Sequence, residues 1–170
     1  MSRRQKEILG LLLIAFSVLS FISLFGHDIT ESPNGLPENY QANNYLGFFG
    51  VWISHYHYML LGYTSIIFPL MGFYFGYLLF SDKNIKSNIY LIGYVFLIGV
   101  FISVFISYLA NIFRMDFLNN YFSGFIGFSL FTFLNHFLGF IGSTVLIFIC
   151  FVLLITFMFK ISIYDLFNSI

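Results

Sequence analysis

Four histidines are the residues of this chain best suited to chemistry. His55 and His57 form a His-x-His, His136 follows in a later apolar stretch, and His27 stands in a polar loop. Imidazoles held in a membrane bundle can ligate haem or a metal, so one reading is a small four-helix subunit that binds haem or quinone. That chemistry needs histidines well inside facing helices. His55 and His57 instead fall at the outer end of an apolar run, and on a helix two residues apart point to nearly opposite sides. Beside Trp52, Tyr56 and Tyr58 they read as interfacial residues, because amphipathic rings settle at headgroup level. No catalytic, cofactor or metal site is assigned to them.

Other chemistries find little support. The Gly-x2-Gly pairs are not phosphate loops, since no Lys-Ser or Lys-Thr follows, and no Walker A motif occurs in the 170 residues. Neither nucleotide nor nucleic acid binding is expected of this chain: seven basic and seven acidic residues leave no basic face. Cys150 is the only cysteine and lies in an apolar run, which removes an intrachain disulfide or a CxxC metal site. No ionisable residue falls at mid-span, where a proton or ion carrier needs one.

The elements that hold these residues are membrane spans. Charged residues are 8% against about 25% in soluble domains, and apolar residues reach 59%. Such a surface is covered by hydrocarbon rather than by water. Four stretches approach the roughly 20 residues a crossing helix needs: Ile8–Phe25, Tyr58–Phe80, Ile89–Phe113 and Phe137–Phe159. The first is read as an uncleaved span, because its run is long and Ser-Leu-Phe-Gly-His is a poor cleavage site. Arg3, Arg4, Lys6, Lys83, Lys86 and Lys160 then lie on one side and Arg114 alone on the other. The positive-inside rule puts both termini in the cytoplasm. The loop 27–44, with Asp28, Glu31 and Glu38, faces outward, and these acids with Trp52, Tyr56 and His57 form a candidate partner surface.

A glycine pattern is written twice. Gly47-x2-Gly50-x11-Gly62 recurs 77 residues later as Gly124-x2-Gly127-x11-Gly139, each within an uncharged block of 43 residues. Each block is about twice the length of one span. The expectation is an all-α fold of four spans, N-in and C-in, in two repeated halves. In each half a short interfacial or re-entrant helix, at 45–57 and 122–136, precedes the second span. Gly72 and Gly76 form a GxxxG that packs helices closely, most simply inside the bundle. Pro69 within the second span is read as a kink relieved by the hydroxyls of Thr64 or Ser65.

At Asn44-x2-Gly47-x2-Gly50-x-Trp52, followed by Gly62 and Pro69, the chain resembles the N-terminal four-span membrane domain of FtsK/SpoIIIE-type DNA translocases. Gly124, Gly127, Gly139 and Gly142 resemble the glycines before that domain's fourth span. Val51 stands where the family usually has alanine, and His55 where it often has Asp. The resemblance implies a multi-pass anchor in the bacterial cytoplasmic (inner) membrane that holds a chromosome-segregation motor at the division septum. It also implies contacts with divisome membrane proteins, and hexameric self-association through the motor. The motor and the DNA-reading winged helix lie outside these 170 residues, so no enzyme activity is expected of them.

Overall fold

In a computed structural model, the structure describes residues 1–34, 41–115 and 121–159. Helices dominate because apolar runs in lipid must satisfy every backbone N–H and C=O within the segment. α1 (Arg3–Phe25) opens on a capping box: Gln5 N–H donates to Ser2 Oγ, and the Gln5 side chain accepts from Ser2 N–H. α2 (Gly47–Leu61) ends in a 3-10 turn (Gly62–Ile66), from which α3 (Ile67–Phe80) continues. α4 (Ile85–Phe113) is capped by Asn84 and stops at Arg114, whose φ of 53° is left-handed. The stretch Gly124–Phe159 breaks at Gly139, with φ 69° and ψ 174°, into α5 (124–138) and α6 (140–159).

Among the described residues, four segments are long and apolar enough to cross a membrane: Arg3–Phe25, Gly47–Phe80, Ile85–Phe113 and Gly124–Phe159. The chain is therefore a multi-pass membrane domain. The two breaks, at Gly62 and Gly139, occupy the same place in the repeated motif. Tyr58–Leu61 complete the last turn of α2, so the second crossing opens at Gly62 rather than at Tyr58. Likewise 137 and 138 belong to α5.

The crossings pair as α1 with α3 and α4 with α6. Gly10 faces Gly76 and Phe80, and Gly72 faces Ser17. The GxxxG thus packs inside the bundle, against α1. Ser17, Ser20, Ser23, Ser103, Ser107 and Ser143 are all buried, whereas most large apolar side chains face outward. Lipid tails are as apolar as leucine, so small side chains that let backbones approach replace a large core. In the second pair Tyr94 Oη donates to the Leu154 carbonyl at 2.6 Å, and Phe101 stacks on Phe151. Lys6 Nζ meets Asp82 Oδ1 at 2.6 Å, which joins the start of α1 to the α3–α4 turn. This is the end that the charge count assigns to the cytoplasm.

The two short helices sit differently in their halves. Ser23, two residues from the end of α1, donates to the Gly50 carbonyl at 2.7 Å. α2 therefore starts and ends near the outer end of the α1–α3 pair. Ser103 donates to the Ser123 carbonyl, and Gly127 presses against Ser103. Ser103 lies ten residues before the end of α4, so α5 starts about 15 Å below that end. Ser23 lies 20 residues from the start of α1 and Ser103 18 residues from the start of α4, so the two short helices open at a similar level and α4 runs on past its own.

The halves meet at backbone contact. A Cβ on Gly62 would collide with the Phe122 carbonyl, and one on Gly124 with the Gly62 nitrogen. Tyr63 N–H donates to the Phe122 carbonyl at 3.1 Å across the same junction. Both glycines also have positive φ, 59° and 63°. Gly62→Val or Gly124→Val is expected to cost about 2 kcal/mol or more. Gly93→Ala, at a helical site open to 4 Å, should be neutral or slightly stabilising. Thermal unfolding of the detergent-solubilised variants checks this, and equal melting temperatures would refute the junction.

Candidate interaction surface at the outer end

The outer end is organised by Asn44. Its Nδ2 donates to the carbonyls of Ser23 at 2.9 Å and Gly26 at 3.0 Å, and its Oδ1 accepts from Leu46 N–H at 3.1 Å. The last carbonyls of a helix have no intrahelical partner. Asn44 supplies one from the loop while it starts the turn into α2. Gly50 is closed against the Asn44 side chain, which explains why both residues belong to one motif. Nothing in the sequence marked Ser23, Ser54 or Ser103 as parts of these junctions. Their signal was a stripe of small hydroxyls on otherwise large apolar helices.

The loop acids divide. Asp28 Oδ1 accepts from both the Thr30 N–H and the Thr30 hydroxyl, and these bonds hold its carboxyl below the usual range. Glu31 is only 2% exposed: Oε1 accepts from Asn43 N–H at 2.7 Å, while Oε2 is buried and has no hydrogen-bond partner among the described residues. Glu31 was expected on the outward surface, but it closes the loop from within. Glu38 lies outside the described residues.

The aromatic part of the expected surface is continuous. Phe48, Trp52 and Tyr56 rise one turn apart on α2, with ring centroids 6.3 and 5.3 Å apart. With Phe16, Phe49, Ile53 and His57 they line an open apolar groove of about 560 Å³. His57 Nδ1 lies 2.7 Å from its own Ile53 carbonyl, and its ring packs edge-on to Phe68. Pro69 is buried in the first turn of α3, directly after the 3-10 turn. It occupies helix positions where a missing N–H costs little. Thr64 Oγ1 donates to the Leu61 carbonyl at 2.8 Å, which satisfies one acceptor freed by the break. Gly47 opens the first short helix, Gly139 ends the second and Gly142 lies in the first turn of α6; among the described residues, no neighbour comes within 4 Å of a Cβ at Gly47 or Gly139.

The histidines are dispersed. His27 Nδ1 lies 3.2 Å from Ser54 Oγ, and its ring stacks on Tyr58 at 4.2 Å. His27 and His55 share a pocket of about 230 Å³ with Tyr58, Met59, Tyr63 and Tyr121. His136 is exposed on α5. Among the described residues, no three His, Cys, Asp or Glu side chains gather as a metal site. Burial and the neighbouring His55 lower the His27 pKa, against a smaller pull from Asp28 and Glu31.

This geometry defines a class: a small four-crossing membrane domain with a repeated glycine motif, whose polar loop and aromatic row gather at one end. The sequence model of the family described as the 4TM region of DNA translocase FtsK/SpoIIIE matches residues 2–170. The chain belongs to that family, and it is the membrane domain rather than the motor. No curated protein and no solved structure matches it.

Two predictions follow from the clamp and the buried imidazole. Asn44→Ala leaves the Ser23 and Gly26 carbonyls unpaired, and should cost about 2 kcal/mol of stability. Asn44→Gln, with a longer reach, should not restore it. For His27, the unfolded state takes up a proton near the ordinary value of about 6.5 while the folded state resists. Stability is therefore full above that value and falls as pH drops through it. His27→Gln should flatten the melting temperature between pH 7.5 and 5.5, and an unchanged slope would remove His27 as its source.

Proposed function

We propose that this membrane domain anchors a DNA-translocating motor at the division septum, in the bacterial cytoplasmic membrane. Its outer end contacts the membrane proteins of the division machinery. The observation that carries this reading is membership of the FtsK/SpoIIIE 4TM family over residues 2–170. Two further features support it. Positive residues gather at one end, which gives cytoplasmic termini under the positive-inside rule. A motor joined to the last crossing would then work on the cytoplasmic side, where the chromosome lies. Chemistry on DNA and ATP belongs to that motor, and the chain itself partners with lipid and with protein.

The contact surface is the Phe48–Trp52–Tyr56 row, with His57 in the adjoining groove, and Asp28 adds a charge on the outer loop. Aromatic anchors beside an apolar groove carry most of the energy of a typical interface. A fluorescent fusion of the full-length protein should concentrate at the septum of dividing cells. Trp52→Ala with Tyr56→Ala should disperse it around the cell periphery while membrane insertion is retained. Unchanged septal signal in that variant would sink the surface, and a uniform wild-type signal would sink the anchor.

A further inference from the structure

One pocket at the outer end holds donor groups that the aromatic contact row does not use. It is the cavity of about 230 Å³ bounded by the loop after α1, by α2 and by the start of the second half, and His27, His55 and Met59 all line it. His55 and Met59 stand one turn apart on α2, so their side chains leave the same face of that helix. His27 enters from the loop. Neither a carboxylate nor an ammonium group lines the cavity, and much of its remaining wall is the rings of Tyr58, Tyr63 and Tyr121.

His27 is held in one tautomer. Ser54 Oγ donates its single proton to the Val51 carbonyl at 3.3 Å, so it accepts from His27 Nδ1–H at 3.2 Å. Nε2 then keeps its lone pair, and the stack on Tyr58 at 4.2 Å fixes the ring plane. A metal-ligating histidine is oriented in this way, with its other N–H donated to a neighbour. His55 meets Tyr56 edge-on at 5.5 Å, and no hydrogen bond among the described residues engages its ring nitrogens. The other two histidines are placed elsewhere: His57 lies against its own Ile53 carbonyl, and His136 is exposed on α5.

We infer that His27, His55 and Met59 form a binding site for copper(I) at the outer end of the domain. The donor set selects the ion. Calcium and magnesium take oxygen ligands, whereas this cavity offers two imidazoles and a thioether. Imidazole suits zinc and copper alike, but a thioether favours copper(I). A singly charged ion also costs less to hold than a doubly charged one where no carboxylate neutralises it. The Asn44 clamp sets both supports of the site, since it ties the loop that carries His27 to the start of the helix that carries His55 and Met59. This ion site lies outside the Phe48–Trp52–Tyr56 row and is independent of septal placement.

Competition against a chromophoric copper(I) chelator tests it, with detergent-solubilised full-length protein under anaerobic reducing conditions. Every sample carries Cys150→Ser, which removes the thiol of this chain. The parent protein should withhold one equivalent of copper(I) per chain more than His55→Ala. Met59→Leu keeps the side-chain volume and removes the sulfur. It should weaken copper(I) about tenfold or more without weakening zinc(II), and X-ray absorption should show the loss of a copper–sulfur contact. His27→Gln should weaken copper(I) by a similar factor, whereas His136→Gln should not change it. If His27→Gln or His55→Ala does not accumulate, Met59→Leu decides. Three results would overturn the inference: no copper(I) withheld by the parent protein, unchanged affinity in Met59→Leu, or an equal loss in His136→Gln.

Discussion

The contact between Gly62 and Gly124 governs the rest of this structure. There the two halves touch backbone to backbone, and the contact requires both residues to lack a Cβ and to hold positive φ. The break at Gly62 then fixes where α2 ends and α3 begins. The opening at Gly124 fixes where α5 starts, beside Ser103 of α4. Tyr63 and Phe122 stack at 4.5 Å over the same junction. Widening it by one methyl group would move two helices and two turns together.

Around that junction the bilayer changes what packing means. Water would drive large apolar groups inward, but in lipid they lose nothing by facing out. Interior positions are therefore given to serines and glycines, whose small volume brings backbones close. Several of the serine hydroxyls are satisfied locally or across a junction, as Ser17 is by the Leu13 carbonyl and Ser23 by that of Gly50, while Ser20 Oγ has no hydrogen-bond partner among the described residues. A short hydroxyl can be both a spacer and a fastener, which explains how a domain with few large buried side chains holds a definite shape.

The crossings were legible in the sequence because length and apolar composition report directly on the bilayer. The glycine repeat showed that each half carries a short helix before its second span, but the breaks fall on Gly62 and Gly139, a few residues later than 57 and 136, because positive φ is what ends each short helix. Less legible were the roles of side chains. Asn44 was seen as a motif residue, but a polar residue before a helix has the same appearance whether it caps the helix ahead or clamps the one behind. Glu31 was read as a surface acid because loops are generally solvated, and only the fold shows Asn43 turning it inward. Helix length was hidden too: the two short helices share a motif and open at a similar level, but α4 runs ten residues past Ser103, whereas α1 ends two residues past Ser23.

Duplication followed by divergence accounts for this difference. Ser23 and Ser103 perform the same task, fastening a crossing to the start of the next short helix. The clamp was not kept in both halves, because position 121, the counterpart of Asn44, is Tyr121. Where α4 continues as helix, its carbonyls stay paired and no loop amide is needed. Where α1 stops, its free carbonyls require a donor, and the loop that brings Asn44 also brings Asp28, Glu31 and His27. The polar equipment of the outer end is thus a consequence of ending α1 early. Chemistry-bearing residues gather there because a helix end in a membrane must be satisfied, and the aromatic row on α2 is set beside them by the same clamp.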